Sequence, residues 1–302
     1  MPHQTSQKEK STAALSSVLA AIGLTTFKII VGILTNSLGI LAEAAHSALD
    51  LAAAVMTFFA VRVADKPADR HHPFGHGKVE NVSALFETLL LLATSGWIIY
   101  EAVHRLMAPE AHVEVSIWSF IVMGTSIVVD VSRSRMLMAA AKKHNSQALE
   151  ADALHFSTDI WSSSVVILGL ILVSVGRYFP SLAMLEKGDA FAALVVAVIV
   201  IFVSGALGIR SIQALLDAAP KAGEQEQIVR QVSRMKGIAD VHAVRIRSSG
   251  AVWFVDMHVT MDGNLSLSES HAMTEKIERK VRSILPKSDV TVHVEPLEMK
   301  GT

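Results

Sequence analysis

The sequence predicts an all-α membrane domain of six transmembrane helices followed by a small C-terminal α+β domain of order αββαβ. Three observations carry this reading. The 302-residue chain is 51% apolar and 18% charged, with a positive mean hydropathy, which places it in the membrane class. Six apolar stretches, near 12–34, 37–63, 80–106, 114–140, 147–177 and 189–212, each reach the roughly 20 residues of a spanning helix. After Ala218-Ala219-Pro220 these runs give way to short amphipathic and alternating patterns.

The first stretch follows a polar start, Met1 to Lys10, that lacks the small-residue cleavage pattern of a signal peptide, so it is read as a retained span. Lysine and arginine set the orientation. Lys8 and Lys10 precede the first span, Arg62, Lys66, Arg70 and Lys78 lie at or beyond the end of the second, and Arg133, Arg135, Lys142 and Lys143 at or beyond the end of the fourth. The other side holds only Arg105, Arg177 and Lys187, so both termini are expected in the cytoplasm. In the C-terminal region, Ile228, Val232 and Met235 mark an amphipathic helix over 222–236. Alternating strands follow near 240–249 and 251–262 around Ser248-Ser249-Gly250. A capping box, Ser266 with Glu269, opens a second helix that runs to about Leu285 before Pro286, and a last strand covers 289–296. A domain of about 80 residues is marginal alone, which favours dimerisation or bound metal.

Inside the second and fifth stretches stand His46-x-x-x-Asp50 and His155-x-x-x-Asp159. Four residues are one helical turn, so each pair projects from one face. An ionised Asp at bilayer depth costs roughly 2.5–3.5 kcal/mol, so such groups face a bundle interior or a water-filled path. Glu43, His46, Asp50 and Thr57 form one stripe, and Asp152, His155, Asp159 and Ser162 another. Two imidazoles with two carboxylates make the tetrahedral set that a zinc-like cation prefers. The competing reading is interhelical hydrogen bonding, which identical spacing on two spans disfavours. Cysteine is absent, so any metal is held by nitrogen and oxygen. The net charge of −1 gives no nucleic-acid footprint.

Between the second and third stretches, Asp69, His72 and His76 are expected to converge around Gly75 as a second, more exposed candidate site; a solvated loop is the alternative. In the C-terminal region, Val255, Met257 and Val259 share one strand face while Asp256 and His258 share the other. His293 and Glu295 stand opposite the valines at 290, 292 and 294, with His242 on the first strand and His271 in the second helix. These residues are candidates for one or two further cations, with surface histidines as the alternative.

The segments Ser37-Leu-Gly-Ile-Leu-Ala-Glu-Ala-Ala-His46-Ser-Ala-Leu-Asp50, His-Pro-Phe-Gly-His-Gly-Lys-Val-Glu80 and Ala-Asp152-Ala-Leu-His155-Phe-Ser-Thr-Asp159 resemble the signature segments of the cation diffusion facilitator family, in order and over nearly the whole chain. The resemblance implies six transmembrane helices and a cytoplasmic metallochaperone-like (ferredoxin-like) αββαβ domain. It divides the chain into a cytoplasmic tail at 1–11, a transport domain at 12–216 and a metal-binding dimerisation domain at 217–302. It also implies a multi-pass homodimer in the cell inner membrane, in contact with lipid, exporting divalent cations in exchange for protons. His46, Asp50, His155 and Asp159 match the family's transport site, and Asp69, His72 and His76 its loop site. His242, His258, His271, His293 and Glu295 match its cytoplasmic-domain sites, with Glu295 in place of the more familiar Asp, which leaves the number of metals open. Glu43 similarly stands where many relatives carry Asp. Lys78 and Asp217 match a charged pair near the membrane–cytosol junction.

The nitrogen–oxygen donor set favours Zn2+ as cargo, with Fe2+, Mn2+, Co2+, Ni2+ and Cd2+ as alternatives. An intramembrane metalloenzyme would need an open metal position and a positioned acid or base, whereas four ligands close the shell and no nucleophile motif accompanies them. A non-transporting metal sensor would leave the carboxylates buried in spans without a purpose. The chain is therefore expected to be a carrier and not an enzyme.

Overall fold

Two helical hairpins built on the same turn organise the membrane unit. In the computed structural model, which describes residues 2–107, 117–178, 186–219 and 223–297, helix α1 (Pro2–Thr35) ends at Asn36 in the left-handed conformation, φ 51°. Ser37 then caps α2 (Leu38–Ala64) by accepting the Ile40 N–H. Further along, α4 (Ile117–His144) ends at Asn145, φ 52°, and Ser146 accepts the Leu149 N–H at the start of α5 (Gln147–Tyr178). Asparagine tolerates the left-handed region, and serine at the N-cap satisfies an orphan helix donor. Each His-x-x-x-Asp pair begins nine residues after its capping serine, at His46 after Ser37 and at His155 after Ser146.

The remaining long helices are α3 (Lys78–Met107) and α6 (Glu186–Leu215). Helices α1, α2, α4 and α5 pack together around Ala13, Ala14, Val61, Leu137, Leu149 and Phe156. Helix α3 packs against α6 where Thr88 lies over Gly208, and Ala84, Ala151 and Leu207 close the seam to α5. Large apolar side chains such as Leu49, Phe59, Trp97 and Phe202 point outward, the reverse of a water-soluble bundle. Among the described residues five stretches are long and apolar enough to cross a membrane: Gln7–Thr35, Glu43–Ala64, Lys78–His104, Ile117–His144 and Ala193–Leu215. The other long helix, α5, carries Glu150, Asp152 and Asp159 in its first half.

Some expected bounds, at residues 114–116, 220–222 and 298–302, lie outside the described residues. Two features differ from expectation. Residues 2–11, read as a tail, form the first turns of α1, because the Lys10 ammonium is buried between Asp65 and Glu80 and ties those turns to α2 and α3. The chain also divides into Met1–Lys66 with Val79–Ile212, and Pro67–Lys78 with Gln213–Thr302. The loop between α2 and α3, assigned by sequence to the membrane domain, thus groups with the C-terminal unit. Phe74 meets Phe254 edge-on at 5.4 Å, the Arg247 guanidinium lies 4.5 Å from the Phe74 ring, and Gly77 abuts the Ser249 carbonyl so closely that a Cβ would collide with it.

The C-terminal unit has the expected order: α7 (Glu224–Ser233), β1 (Ile238–Ser249), β2 (Val252–Met261), α8 (Leu267–Ile284) and β3 (Ser288–Pro296). The sheet runs β1-β2-β3, antiparallel between the first two strands and parallel between the last two. A two-residue turn with Gly250 at φ 59° joins β1 to β2. Val255, Met257 and Val259 meet Ile228 and Val232 of α7 and Ile277 and Val281 of α8 in one core. The predicted capping box is present, and the Ser266 hydroxyl and N–H hold the Glu269 carboxyl below its usual range.

Ile277 is fully buried at the centre of this small core. Ile277→Ala is expected to destabilise the C-terminal unit by about 2–5 kcal/mol. Hydrogen–deuterium exchange of the intact protein checks this: amides of β1 to β3 exchange faster, while those of α1 and α2 are unchanged.

Candidate metal centres

Helices α2 and α5 cross antiparallel at the two His–Asp pairs. His46 Nε2 lies 3.9 Å from Asp159 Oδ1, and His155 Nε2 lies 3.2 Å from Asp50 Oδ1, so each histidine meets the other helix's carboxylate. Within each helix the separations are 3.9 Å for His46–Asp50 and 3.7 Å for His155–Asp159. Ligand atoms of Asp50, His155 and Asp159 all lie within 4.8 Å of one another. A tetrahedral zinc site with bonds near 2.0 Å has ligand–ligand edges of about 3.3 Å. The Asp50–His155 edge already has that length, and those to His46 are a little long. The centre is open on one side: the His46 side chain is 42% exposed and that of Glu43 40%, against 5% for His155.

The two polar stripes do not act as single sets. Glu43 turns to Lys28 of α1, whose ammonium also donates to Ser47 at 2.8 Å. Asp152, fully buried, accepts from Ser17 Oγ at 3.4 Å. Ser17 in turn accepts from Arg133, which lies 3.4 Å above the Phe156 ring and within 3.4 Å of Asp130. Thr57 donates to Glu87 of α3 at 3.2 Å. Glu87 is fully buried, and its Oε2 lies 3.3 Å from His155 Nδ1.

In the loop, Asp69 Oδ1 accepts the backbone N–H groups of His71 and His72 at 2.9 and 2.7 Å. Those bonds, His72 first, hold its carboxyl below the usual range. Gly75, φ 78°, donates its N–H to the His72 carbonyl and turns the chain back, so that His72 Nδ1 and His76 Nε2 stand 3.4 and 3.3 Å from Asp69. The three side chains form a compact triad.

The sheet register builds the third cluster. His242 is opposite His258, and His258 is opposite His293, which places three imidazoles in a row across the face away from the core. Glu295, two residues beyond His293, joins them: His258 Nδ1 is 2.9 Å and His242 Nε2 3.3 Å from its carboxylate. His293 borders the cluster, with Nε2 3.9 Å from Glu295 and its ring 4.8 Å from that of His258. His271 is not brought to it. It stands exposed on α8, 3.8 Å from Glu275.

Comparison with known proteins places these clusters in context. A family model described as the cation efflux transmembrane domain matches residues 14–216, and one described as the cytoplasmic domain of cation efflux proteins matches residues 220–297. The chain belongs to the cation efflux family. It is 31% identical to the cation-efflux pump FieF of Cronobacter sakazakii over 286 residues, covering 95% of this chain and 92% of that one. It is 29% identical to the FieF of Shewanella oneidensis, covering 99% of each. A solved metal-bound C-terminal domain of the CzcD transporter from Thermotoga maritima is 31% identical over 26% of this chain and 93% of that one, with a TM-score of 0.24. This cation efflux protein is accordingly a multi-pass integral membrane transporter with a cytoplasmic C-terminal domain, and not an enzyme.

Sequence reasoning passed over two residues of this cation efflux protein that touch the clusters. Glu87 lies in an apolar run with no paired motif to mark it. Asp240, 2.9 Å from His242 Nδ1, could have been found from its place two residues before His242 on the same strand face. The charged pair read from sequence is close: Lys78 Nζ lies 2.8 Å from Asp217 Oδ1 and also donates to the Leu215 carbonyl. Arg247 approaches the other Asp217 oxygen at 3.4 Å.

The Lys78 hydrogen bond, and after it the charges of Lys78 and Arg247, hold the Asp217 carboxyl below its usual range. A depressed carboxylate contributes stability above its unfolded pKa of about 3.9, and loses it only as pH falls through the lower folded value. The pair should therefore survive acidification to pH 4. Lys78→Ala is expected to raise the Asp217 midpoint toward the ordinary range, read from its carboxylate carbon shift during pH titration; an unchanged midpoint would assign the depression to Arg247.

Proposed function

We propose that the chain exports divalent cations from the cytoplasm in exchange for protons, with Zn2+ as its main cargo. The observation that carries this reading is the convergence of Asp50, His155 and Asp159 within 4.8 Å, with His46 3.9 Å from both carboxylates, between two helices of a membrane unit. His46, Asp50, His155 and Asp159 form the transport site. Cation binding there requires neutral imidazoles and ionised carboxylates, so cation entry displaces protons and their return favours release. Two nitrogen and two oxygen donors suit zinc better than cations that demand six oxygens. Crossing of opposed hairpins at one site suits alternating exposure to the two sides of the membrane.

The same reading assigns residues 12–216 to transport, with the opening turns of α1 in the cytoplasm, and 217–302 to a cytoplasmic domain through which two copies pair. Both termini are cytoplasmic and the membrane is the cell inner membrane. Asp69, His72 and His76 form a loop site for the same cations. His242, His258 and Glu295, with His293 at their edge, form a cytoplasmic site whose occupancy regulates or stabilises the dimer, and Lys78 with Asp217 braces the loop.

Proteoliposomes loaded with a zinc-sensitive dye and a pH-sensitive dye test the proposal. Zinc flux is expected with opposite proton flux, and Asp50→Ala or Asp159→Ala reduces it to the rate of protein-free liposomes. Zinc flux without proton counterflow would sink the antiport, and full flux in either variant would remove the four residues from the pathway.

A further inference from the structure

Glu87 is the buried group that the proposed transport cycle leaves unexplained. It sits on α3, which supplies no ligand to the centre, and it is fully excluded from solvent. An unpaired carboxylate in such a place is strongly unfavourable, so its surroundings have to satisfy it. One oxygen, Oε1, accepts the Thr57 hydroxyl at 3.2 Å. The other, Oε2, has no hydrogen-bond partner among the described residues and faces His155 Nδ1 at 3.3 Å. That ring nitrogen likewise has no hydrogen-bond partner among the described residues, the 3.3 Å contact being close but not aligned as a hydrogen bond, while Nε2 of the same imidazole faces Asp50 at 3.2 Å and Asp159 at 3.7 Å. The ring is thus suspended between Glu87 on one side and the two carboxylates on the other.

We propose that Glu87 is a positioning residue for the cation: it accepts the Nδ1–H of His155 and thereby presents the Nε2 lone pair to the cargo. The inference rests on His155 being a transport ligand. A metal-bound imidazole carries its remaining proton on the distal nitrogen, and an acceptor there fixes both the tautomer and the ring orientation. Thr57 holds the Glu87 carboxylate from the α2 side, so the chain Thr57–Glu87–His155 joins α2, α3 and α5. Rotation of the imidazole about its χ angles would carry Nε2 away from Asp50 and Asp159, and the Glu87 contact opposes that rotation.

The test is zinc titration calorimetry of the purified full-length protein, with Asp50→Ala defining the component that belongs to the transport site. Glu87→Gln retains an acceptor oxygen and is expected to keep that component within a few-fold of the parent. Glu87→Met, similar in size but without an acceptor, is expected to weaken it by roughly 10–100-fold. Cobalt supplies a second readout, because the visible bands of tetrahedral Co2+ report ligand geometry: they are conserved in the Gln variant and altered in the Met variant. Should the Met variant fail to fold, Glu87→Asp decides the matter, since the shorter arm withdraws the acceptor and a parental affinity there would overturn the proposal. Parental affinity and cobalt bands in a folded Met variant would do the same, leaving the transport site itself intact. Loss as complete as that of Asp50→Ala in the Gln variant would make Glu87 a ligand instead and also overturn it. Survival of every binding component in Asp50→Ala would instead refute the transport-site reading on which the inference depends.

Discussion

The polar contacts that join the described membrane helices answer the cost of holding carboxylates away from water. Asp50, Asp152, Asp159 and Glu87 are each expensive where they stand, and none is left facing outward. The cross-pairing of α2 and α5 answers that cost for Asp50 and Asp159, since each finds an imidazole from the facing helix. Asp152 is answered through Ser17 by Arg133, whose guanidinium is itself laid on the Phe156 ring, and Glu43 by Lys28. Remove the His–Asp crossing and the two helices would expose opposed carboxylates to each other. The apolar core around Leu137, Leu149 and Phe156 packs the four helices, and the crossing lets two carboxylates sit within that bundle.

The crossing works because the two hairpins repeat one local design in opposite directions. Asn36-Ser37 and Asn145-Ser146 each end a helix, cap the next, and place histidine nine residues on and aspartate four beyond it. The acid three residues before each histidine repeats as well, as Glu43 and Asp152. On antiparallel helices that offset puts the two acids on opposite sides of the tetrad. Their surroundings differ accordingly: Glu43 is partly exposed beside half-exposed His46, whereas Asp152 is buried on the side of Glu87 and His155. The structure is thus closed below one histidine and open beside the other.

Much of this was legible in the chain. Helical periodicity and apolar length located the six long helices, because burial in lipid leaves a coarse pattern that local sequence records directly. The capping box at Ser266 and the alternation of Val255, Met257 and Val259 were local too, and the strand faces they implied put His258, His293 and Glu295 together. What sequence could not supply was set by tertiary packing. The polar stripe of α5 looked like one surface, yet Asp152 turns to α1 and α4 while Asp159 turns to α2, because neighbouring helices divide a stripe between them. His271 shares the composition of the cytoplasmic cluster but stands on α8, on the layer opposite the histidine row. The α2–α3 loop was read with the helices it joins, whereas the aromatic contact of Phe74 with Phe254 and the close approach of Gly77 to Ser249 group it with the sheet.

The distances around the tetrad are unequal. Asp50 and Asp159 stand 3.2 and 3.7 Å from His155 Nε2, and the Glu87 carboxylate stands 3.3 Å from the other nitrogen of that ring. His46 stands 3.9 Å from both aspartates and keeps a large exposed area. Closing its two edges to about 3.3 Å requires a shift of roughly half an ångström, well within a rotamer adjustment of a partly exposed side chain. If the four residues hold the cation as proposed, His46 is the one whose distances must shorten most. On that proposal the histidine that would complete the shell is also the more exposed of the two, so ligand closure and covering of the site would fall to one side chain.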